Sequence, residues 1–486
     1  MKRIIFLIIS IVALSSFLYS QNEIDALRYS HYIPGSTSRA NAMGGSFGAL
    51  GGDASVLGFN PAGMGVYKSS DFSITPGVEL INSSADYLGR TSRDYSLKAN
   101  LSNISLIGTI NLKNETGFSN VNFGFSYNRL NSFNENILIE GINNENSFSD
   151  WLAARGNGIY AGDLGNYDNF YSYLGYHGFL IDPYNRDSIS YISALDNLGQ
   201  TQRQFISRSG NQGEYNFSIS GSIQHKLFLG ASIGIQTVKY DEKKRLEEID
   251  TDNTIPDFNS FSFVESLSTT GTGVNFKIGF LYSPVEWIRF GGALHTPTYF
   301  SLRDTYETSV QSSFESWGNT ERIYSNIGIY NYELTTPLRA NFSLGFIINK
   351  QFLVNVDYEY VNYSKSLLRS DDYTFSDENN TIKNAFKSAN NVRLGAEYRY
   401  GPLSFRLGAA YYDSPYKSSL INKSAYTFVY SAGLGTRWNN TYLDLSYSFI
   451  TNSYYYSMYS GYGVNSPLAE ITNNGNRITA TIGFKF

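Results

Sequence analysis

The sequence predicts an all-β fold: an antiparallel transmembrane β-barrel of about fourteen strands, with an N-terminal hatch, or plug, inside the lumen. Three observations predict this fold class. Apolar and polar residues alternate along most of the chain, short and long connections alternate between the predicted strands, and a glycine-rich segment precedes the first strand. Lipid-facing barrels combine these features because each strand presents one face to acyl chains and the other to the lumen.

The N-terminus has the form of a secretory signal peptide. Lys2 and Arg3 precede the apolar run from Ile4 to Leu14, and small residues follow up to Ser20. This run is too short and wrongly flanked for a stable membrane helix, so we expect residues 1–20 to be removed. The chain contains no cysteine, so a lipid-modified cysteine and disulfide bonds are both excluded.

The composition favours a β-protein with aromatic surfaces. The 486 residues include 40 Tyr, 33 Phe and 44 Gly, whereas only 16% are charged. The formal net charge is -5, and no cluster of Lys and Arg provides the basic surface that nucleic-acid binding needs. We therefore expect no nucleic-acid partner.

The alternation of residues indicates which face of each strand meets lipid. In the last segment, Ile478, Ile482 and Phe484 share one face, while Thr479 and Thr481 share the other. The same division recurs from 392 to 400 and from 403 to 411. The polar face carries small residues and isolated charges, and the apolar face often ends in Tyr or Phe. This distribution is typical of a barrel with its apolar face outward, rather than of a soluble sandwich.

The connections indicate an up-and-down barrel. Short links at 225–226, 283–286, 349–351, 400–402 and 439–440 alternate with long polar ones near 241–260, 301–337, 364–389, 413–425 and 451–473. Counting from about residue 70 gives fourteen strands, an even number that places both termini on the short-turn, periplasmic side. We expect a plug at 21–68 and a barrel at 69–486, with a large outer loop at 131–213.

The large outer loop is rich in aromatic residues. It is too long to lack structure, and Ser149 to Arg155 predicts an N-capped helical turn. Trp151, Phe170, Tyr173 and Phe179 are candidates for capturing an apolar ligand at the outer surface. The alternative is that these rings only pack the loop onto the barrel rim.

The segment from Gly44 to Gly63 is the candidate plug. Seven of its twenty residues are glycine and Asp53 is its only charge. A barrel of this width has a water-filled lumen unless something fills it, and glycines permit the tight turns and close backbone approach that a filling segment needs. The candidate plug and gate residues are Gly44, Gly45, Phe47, Asn60, Pro61, Ala62 and Gly63. The alternative is a disordered linker.

Charged residues on the predicted inner face are few. Glu397 and Arg406 lie opposite each other across the turn at 401–402, where they form a salt bridge or orient an anionic head group, and Arg393 is a further inward charge. The four His lack the spacing of metal ligands, and no nucleotide-binding motif or Ser/His pair is present. We expect no metal, no cofactor and no enzymatic activity.

The stretch "SRANAMGGSFGALGGDASVLGFNPAGM", Ser38 to Met64, resembles the N-terminal hatch of the FadL/TodX-type outer-membrane transporters of long-chain fatty acids and other hydrophobic compounds. Phe276 to Leu302, Thr336 to Phe346 and Val429 to Phe449 resemble later parts of the same family. The resemblance covers essentially the whole mature chain.

This resemblance implies a fourteen-stranded barrel closed by a hatch. Family members capture an apolar ligand on the outer face, pass it to an internal pocket and release it through hatch movement and a lateral opening near a kinked third strand. In this sequence the third strand lies near Phe118 to Leu130, and the loop at 131–213 occupies the place of the ligand-collecting loop. No motif identifies a basic residue that would meet a carboxylate.

The expected function is passive transport of long-chain fatty acids or other hydrophobic small molecules across the outer membrane of a Gram-negative bacterium. We expect a monomer whose partners are the hydrophobic ligand and outer-membrane lipid. Two alternatives stay open: a surface adhesion or structural barrel without transport, and a membrane enzyme.

Overall fold

The computed structural model describes residues 23–112, 117–195 and 197–486, except for the side chain of Arg186. The predicted signal peptide lies outside these residues. Within them, fourteen strands form one antiparallel sheet, and pairing of the first strand with the last closes the sheet into a barrel. The fold class predicted from the sequence is confirmed.

The barrel strands are numbered in chain order, and three of them are interrupted. They are β1 (Asp71–Tyr87), β2 (Arg90–Asn111), β3 (Phe118–Ser132 and Glu135–Asn143), β4 (Gln200–Ile223), β5 (Leu227–Ile249), β6 (Phe258–Val285), β7 (Ile288–His295 and Tyr299–Phe314), β8 (Gly328–Thr335 and Arg339–Ile348), β9 (Phe352–Asn362), β10 (Ser388–Tyr400), β11 (Leu403–Tyr412), β12 (Thr427–Trp438), β13 (Thr441–Ser457) and β14 (Leu468–Lys485).

Helices occur before the barrel and in two of the long connections. They are α1 (Glu23–Ser30), α2 (Ser38–Ala42), α3 (Val56–Phe59), α4 (Phe148–Gly156), α5 (Leu164–Tyr167), α6 (Ser172–His177) and α7 (Ser376–Ala385). Short 3-10 turns lie at Pro61–Val66, Ala161–Asp163, Tyr184–Arg186, Tyr363–Lys365 and Ile421–Ser424. None of the described helices has both the length and the apolar character needed to cross a bilayer.

The two faces of the barrel wall differ as the alternation predicts. On β10, Leu394 points outward and is 47% exposed, whereas its strand neighbour Arg393 points into the lumen and is buried. On β14, Ile478 is exposed and Thr479 is buried against the plug. The outer face is therefore apolar and the lumen is lined by polar and small side chains, which is the arrangement that a bilayer requires.

Several strands extend further than the sequence predicts. The connection between β5 and β6 is confined to residues 250–257, and β7 and β8 extend through most of the predicted loop at 301–337. Likewise, the ladder of β3 and β4 takes up both ends of the predicted loop at 131–213, which leaves 144–199 outside the barrel strands. At these outer ends the apolar side chains, such as Ile206, Leu246 and Val310, point inward and are buried, whereas the outward face is mostly polar. The outward apolar alternation that identifies a lipid-facing strand is therefore absent from them.

β7 and β8 are interrupted side by side. Each interruption contains a proline, Pro297 or Pro337, and proline has no backbone N–H to donate to a strand ladder. Across the break, the amide of Thr298 donates to Thr336 Oγ1 at 2.8 Å, and the amide of Thr336 donates to the carbonyl of Thr298 at 3.0 Å. The outer half of β8 then pairs with Leu367–Arg369 instead of β9.

The N-terminal segment before β1, residues 23–70, folds inside the lumen, and we call it the plug. Its apolar centre consists of Met43, Phe47, Val56, Leu57 and Met64, all fully buried. α2 starts at the N-cap Thr37, whose hydroxyl accepts a hydrogen bond from the amide of Ala40. The plug is an ordered structure with its own core, not a linker.

Residues 144–195 and 197–199 form a folded cap on the long-loop side of the barrel. Ser147 caps α4 and forms a capping box with Asp150, two residues before the start that the sequence predicts. Phe148 and Leu152 of α4 pack with Phe261 and Phe263 of β6 in one apolar cluster. The cap is therefore anchored to the barrel by a shared core.

We expect Leu394→Arg to lower the free energy of unfolding by about 2–4 kcal/mol, because Leu394 is central in β10 and a charge there must enter the hydrocarbon region. Urea titration of the protein folded into phospholipid vesicles measures this change. Leu420→Arg, in the loop after β11, is the matched control and should change the stability little. Equal effects of the two substitutions would contradict the lipid-facing assignment.

Candidate functional site

The plug lies directly against the inner wall of the barrel at glycine positions. A Cβ on Gly44, which has a φ of 64°, would lie 2.8 Å from the carbonyl oxygen of Ala409. On the wall, a Cβ on Gly408 would overlap the backbone of Met43 and Gly44, and one on Gly230 would overlap the backbone of Pro61 and Ala62. Backbone thus meets backbone, and side chains cannot be added on either side without moving the plug.

Several polar side chains fix the glycine-rich part of the plug, among them Asp357 and Asn60. Asp357 of β9 accepts hydrogen bonds from the amides of Phe47 (2.9 Å) and Gly48 (3.2 Å). Asn60 Nδ2 donates to the carbonyl oxygens of Gly48 (2.8 Å) and Phe280 (3.0 Å). Asn60 Oδ1 also accepts from the amide of Ala62, which caps the turn that contains Pro61 and Gly63.

An ion-pair network joins the plug to the wall. Glu397 and Arg406 face each other in the β10–β11 register, and Arg406 Nε lies 2.6 Å from Glu397 Oε2. Arg39 of α2 adds two hydrogen bonds to the same carboxylate, at 2.7 and 3.0 Å. Arg406 also contacts Asp444 at 2.6 Å. The sequence does not reveal that Arg39 pairs with Glu397, because 358 residues separate the two side chains along the chain.

Arg393 belongs to a different cluster from Glu397 and Arg406. Its Nη2 donates to Asn341 Oδ1 at 3.1 Å, and its guanidinium lies 3.8–3.9 Å from carboxylate oxygens of Glu359 and Asp357. Gly45 of the plug packs nearby, since a Cβ there would lie 3.7 Å from Arg393 Cδ. The three predicted lumen charges therefore contact the plug at two separate places.

A chamber with a volume of ≈ 410 Å³ lies in the lumen between the plug and the long-loop side. Its floor includes Ile24, Arg28 and Ile33 of the plug. Its walls combine apolar and tyrosine side chains with charged groups, including Ile81, Phe133, Tyr240, Ile450, Tyr454, Glu79, Glu135, Arg208, Glu242, Lys244 and Arg477. A chamber of this size and mixed lining suits a small, largely apolar molecule with a polar end.

The acidic groups of this chamber are paired with cations. Arg208 lies 2.6 Å from both Glu135 and Glu242, and Lys244 lies 3.3 Å from Glu242. Tyr240 donates a hydrogen bond to Glu242 at 2.8 Å. Neutralisation of these carboxylates lowers the cost of bringing apolar material into the chamber, since an unpaired buried charge would have to stay hydrated.

The wall beside the chamber contains an interruption of the strand ladder. β2 and β3 pair from Asn111↔Asn120 up to Asn103↔Asn128, and beyond this point β2 pairs only with β1. We call the region between residues 97–102 of β2 and 129–134 of β3 the ladder gap. Above it, Arg90 contacts Glu140 at 2.6 Å and joins the two strands again.

Phe133 lies at the break in β3 and points inward. Its ring meets Tyr29 of α1 edge to face at 6.1 Å between centroids, and Tyr240 of β5 at 5.2 Å. Its amide donates to the carbonyl of Gly210 at 3.0 Å, which keeps β3 joined to β4 across the break. The kink in β3 is therefore in direct contact with the plug.

The four predicted capture residues occupy different environments in the cap. Trp151 is only 6% exposed and packs against Phe148, and Arg155 lies over its ring at 5.4 Å. Burial raises the pKa of the adjacent Tyr171. Phe170 is half-buried against Tyr306, and Tyr173 is half-buried beside His177.

Phe179 differs from the other three. It is 49% exposed, has a φ of 56°, and meets the exposed ring of Trp317 edge to face at 5.0 Å. Trp317 in turn stacks on Phe314 at 4.6 Å. A bulky residue at positive φ carries backbone strain, so this exposed aromatic pair is held in place by its surroundings.

Among the described residues, no group of three His, Asp or Glu side chains is arranged to hold a metal ion. Asp250 and Asp252 lie in the turn between β5 and β6.

These features define the class of the protein: it is a plugged membrane β-barrel of fourteen strands, with an apolar outer face, a chamber beyond the plug and a local interruption of the wall. Residues 211–457, just over half of the chain, match the family described as "Outer membrane protein transport protein (OMPP1/FadL/TodX)". The chain belongs to this family and is an outer-membrane protein of the Gram-negative type. Its short-turn side therefore faces the periplasm.

Solved structures show the same fold. A FadL homologue from Pseudomonas aeruginosa is 12% identical and aligns over 94% of this chain and 100% of that chain, with a TM-score of 0.59. The toluene transporter TodX from Pseudomonas putida is 11% identical and aligns over 94% and 100% of the two chains, with a TM-score of 0.52. No curated protein sequence matches the chain.

We expect Gly408→Ala to displace the plug while leaving the barrel folded, because the new methyl group would overlap the backbone at Met43 and Gly44. Overpacking of this kind costs about 1–3 kcal/mol, which raises the population of molecules with a loosened plug. Conductance in planar bilayers and hydrogen exchange of residues 38–66 measure the change.

Gly108→Ala is the matched control for this substitution. Gly108 also lies in a barrel strand, but the nearest atom to its Cβ would be the carbonyl oxygen of Phe123 at 4.0 Å. If the two variants have the same conductance and the same exchange rates, the close contact at Gly408 does not hold the plug.

Proposed function

We propose that this protein carries hydrophobic small molecules passively across the outer membrane, with long-chain fatty acids and monoaromatic compounds as the two candidate cargo classes. The observation that carries the proposal is the chamber of ≈ 410 Å³ between the plug and the outer mouth, beside a gap in the wall. A barrel that served only adhesion or structure would need neither feature. Membership of an outer-membrane transport family supports the same conclusion.

The plug acts as the gate in this proposal. Gly44, Gly45, Phe47 and the turn from Asn60 to Gly63 hold it against the wall, so direct passage to the periplasm is closed in this state. Phe133 links the plug to the ladder gap through Tyr29. A ligand that displaces Phe133 from the chamber would therefore shift both the plug and the edge of the gap, which makes them one two-state element.

The ladder gap provides the exit. The outward side chains of Leu97 and Leu101 beside it are exposed and apolar, so a cargo molecule that leaves the chamber here enters hydrocarbon instead of water. Transfer of each CH₂ group from water to an apolar site lowers the free energy by about 0.8 kcal/mol. A series of apolar sites can therefore carry an acyl chain without an energy source. Such transport equilibrates the cargo and does not accumulate it.

The exposed pair of Phe179 and Trp317 is the proposed site of first capture. Both rings lie on the outer side and offer apolar surface to molecules in solution. Trp151, Phe170 and Tyr173 support the cap around this pair by packing with barrel residues. The protein needs no second subunit for this route, because one chain contains the capture surface, chamber, plug and gap.

We expect Gly475→Phe to reduce uptake by about tenfold or more, since loss of roughly 1.4 kcal/mol of binding has this effect. Gly475 lines the chamber, and the nearest atom to its Cβ would be Ile450 Cβ at 3.6 Å, so the ring fits and fills the space. Uptake of radiolabelled hexadecanoate and of toluene by cells that produce each variant is the measurement. Gly108→Phe, on the lipid face, is the control, and unchanged uptake by Gly475→Phe would refute the route.

We expect Phe179→Ser combined with Trp317→Ser to lower the initial uptake rate at low substrate concentration by roughly two- to tenfold. A contact between aromatic rings contributes about 0.5–1.5 kcal/mol to binding, beyond the effect of the buried area. The double substitution removes the rings that would make such contacts with the cargo. Tyr160→Ser, an equally exposed position in the same cap, is the matched control. A rate equal to that of the control would show that first capture occurs elsewhere.

A further inference from the structure

We propose that the outward face of β5, β6 and β7 binds the phosphate group of a lipid in the outer leaflet of the membrane. The site consists of Lys239, Thr270 and Arg303, which we call the cation row. It lies on the lipid side of the wall, so it is separate from the chamber, the plug and the ladder gap. The proposal does not depend on which molecule the barrel transports.

The cation row crosses three neighbouring strands. Lys239 of β5 is the register partner of Thr270 of β6, and Thr270 is the register partner of Arg303 of β7. All three side chains are exposed, whereas the strand neighbours Tyr240 and Asp304 are buried in the lumen. Adjacent strands lie about 4.8 Å apart, so Lys239 and Arg303 are about 10 Å apart. Two long cationic side chains at this spacing reach one phosphate group between them, above the Thr270 hydroxyl.

The apolar residues of the same strands give the depth of the cation row. Ile235, Val274 and Tyr299 are exposed register partners and form the last apolar row on the outward face. The cation row lies four residues nearer the long-loop side on each strand, about 10 Å along the membrane normal at a tilt near 40°. The headgroup layer of one leaflet is about 5–8 Å deep, and Lys and Arg side chains reach back toward it. The charged groups therefore lie at the level of lipid phosphates.

Neither cation of the row forms an ion pair within the described part of the chain. Two acids lie nearby on the outward face, and each has another partner. Asp241, the next outward residue after Lys239, accepts a hydrogen bond from a serine hydroxyl at 2.7 Å. Glu333 of β8 is the register partner of Arg369. Lys239 and Arg303 therefore keep their charge available for an anion from outside the protein.

An apolar groove lies below the cation row on the same lipid face. It has a volume of ≈ 930 Å³, and its walls include Phe276 and Ile278 of β6 and Ile233 of β5. Ala231 forms part of its lining, and this small side chain leaves room between the larger ones. A lipid with its phosphate on the cation row would place an acyl chain along this groove. The charge and the groove thus fit the two ends of one molecule.

The opposite wall lacks this combination at the residues that follow its apolar belt. Asn82 of β1, Thr451 of β13 and Asn474 of β14 are neighbours in the register, and all three are neutral. Thr451 Oγ1 donates to Asn474 Oδ1 at 2.9 Å, so these polar groups satisfy each other. The cation row is therefore a local feature of the β5–β7 wall, which favours one bound lipid at a fixed place over a uniform charged ring.

The test is native mass spectrometry of the full-length protein in a neutral detergent, titrated with diphosphorylated lipid A and with lipid A that has lost both phosphates. The native chain should bind the phosphorylated form about tenfold or more tightly, because each Lys or Arg at an anionic lipid surface strengthens binding. Lys239→Gln combined with Arg303→Gln should remove that preference and leave binding of the dephosphorylated form unchanged. Lys239→Arg should retain the preference.

Lys365→Gln combined with Lys423→Gln is the matched control, because it removes the same charge from two exposed turns. Equal binding of the two lipids by the native chain, or equal losses in the control and in the row variant, would overturn the proposal. Hexadecanoate tests the other anionic occupant. A row variant that loses hexadecanoate binding but keeps its preference for the phosphorylated lipid would make the row a fatty-acid site and also overturn the proposal.

Discussion

Inside a bilayer, every backbone N–H and C=O group must find its partner within the protein, because hydrocarbon offers none. The closed ladder from β1 to β14 meets this requirement, and Asp71↔Lys485 begins the pairing that completes the circle. The ladder gap is therefore costly to maintain. Local contacts between β2 and β3 reduce that cost: the side-chain amide of Asn136 donates to the carbonyl of Tyr95, and Arg90 contacts Glu140.

Closure creates a second requirement, since fourteen strands enclose more space than their own side chains can fill. The plug meets it with backbone and small side chains instead of large apolar ones. This choice explains why glycines occur both in the plug and on the inner wall, as at Gly44 and Gly408. Hydrogen bonds to Asp357 and the ion pair from Arg39 to Glu397 then orient the plug. Contacts of this type are directional, so they define the orientation of the plug in the lumen.

Much of the fold follows from local pattern, and much of the site does not. Alternation with a period of two residues identifies the lipid face, and the glycine-rich segment identifies the plug, because each signal is contained in a short stretch. The sequence predicts a loop at the polar outer end of β5, but this segment pairs with β4 and β6. Pairing between Arg39 and Glu397 depends on closure of the barrel. Trp151 shows the limit for single residues: its aromatic character is visible in the sequence, but its burial is not.

The length of β6 has a consequence for where the channel meets its surroundings. The strand has 28 residues. At about 3.3 Å per residue and a tilt near 40°, it rises roughly 70 Å, whereas the apolar belt of an outer-membrane barrel is about 25 Å tall. The wall formed by β4, β5 and β6 therefore extends well beyond the outer surface of the bilayer. Its outer end thus lies beyond the level of the lipid headgroups, in the aqueous medium.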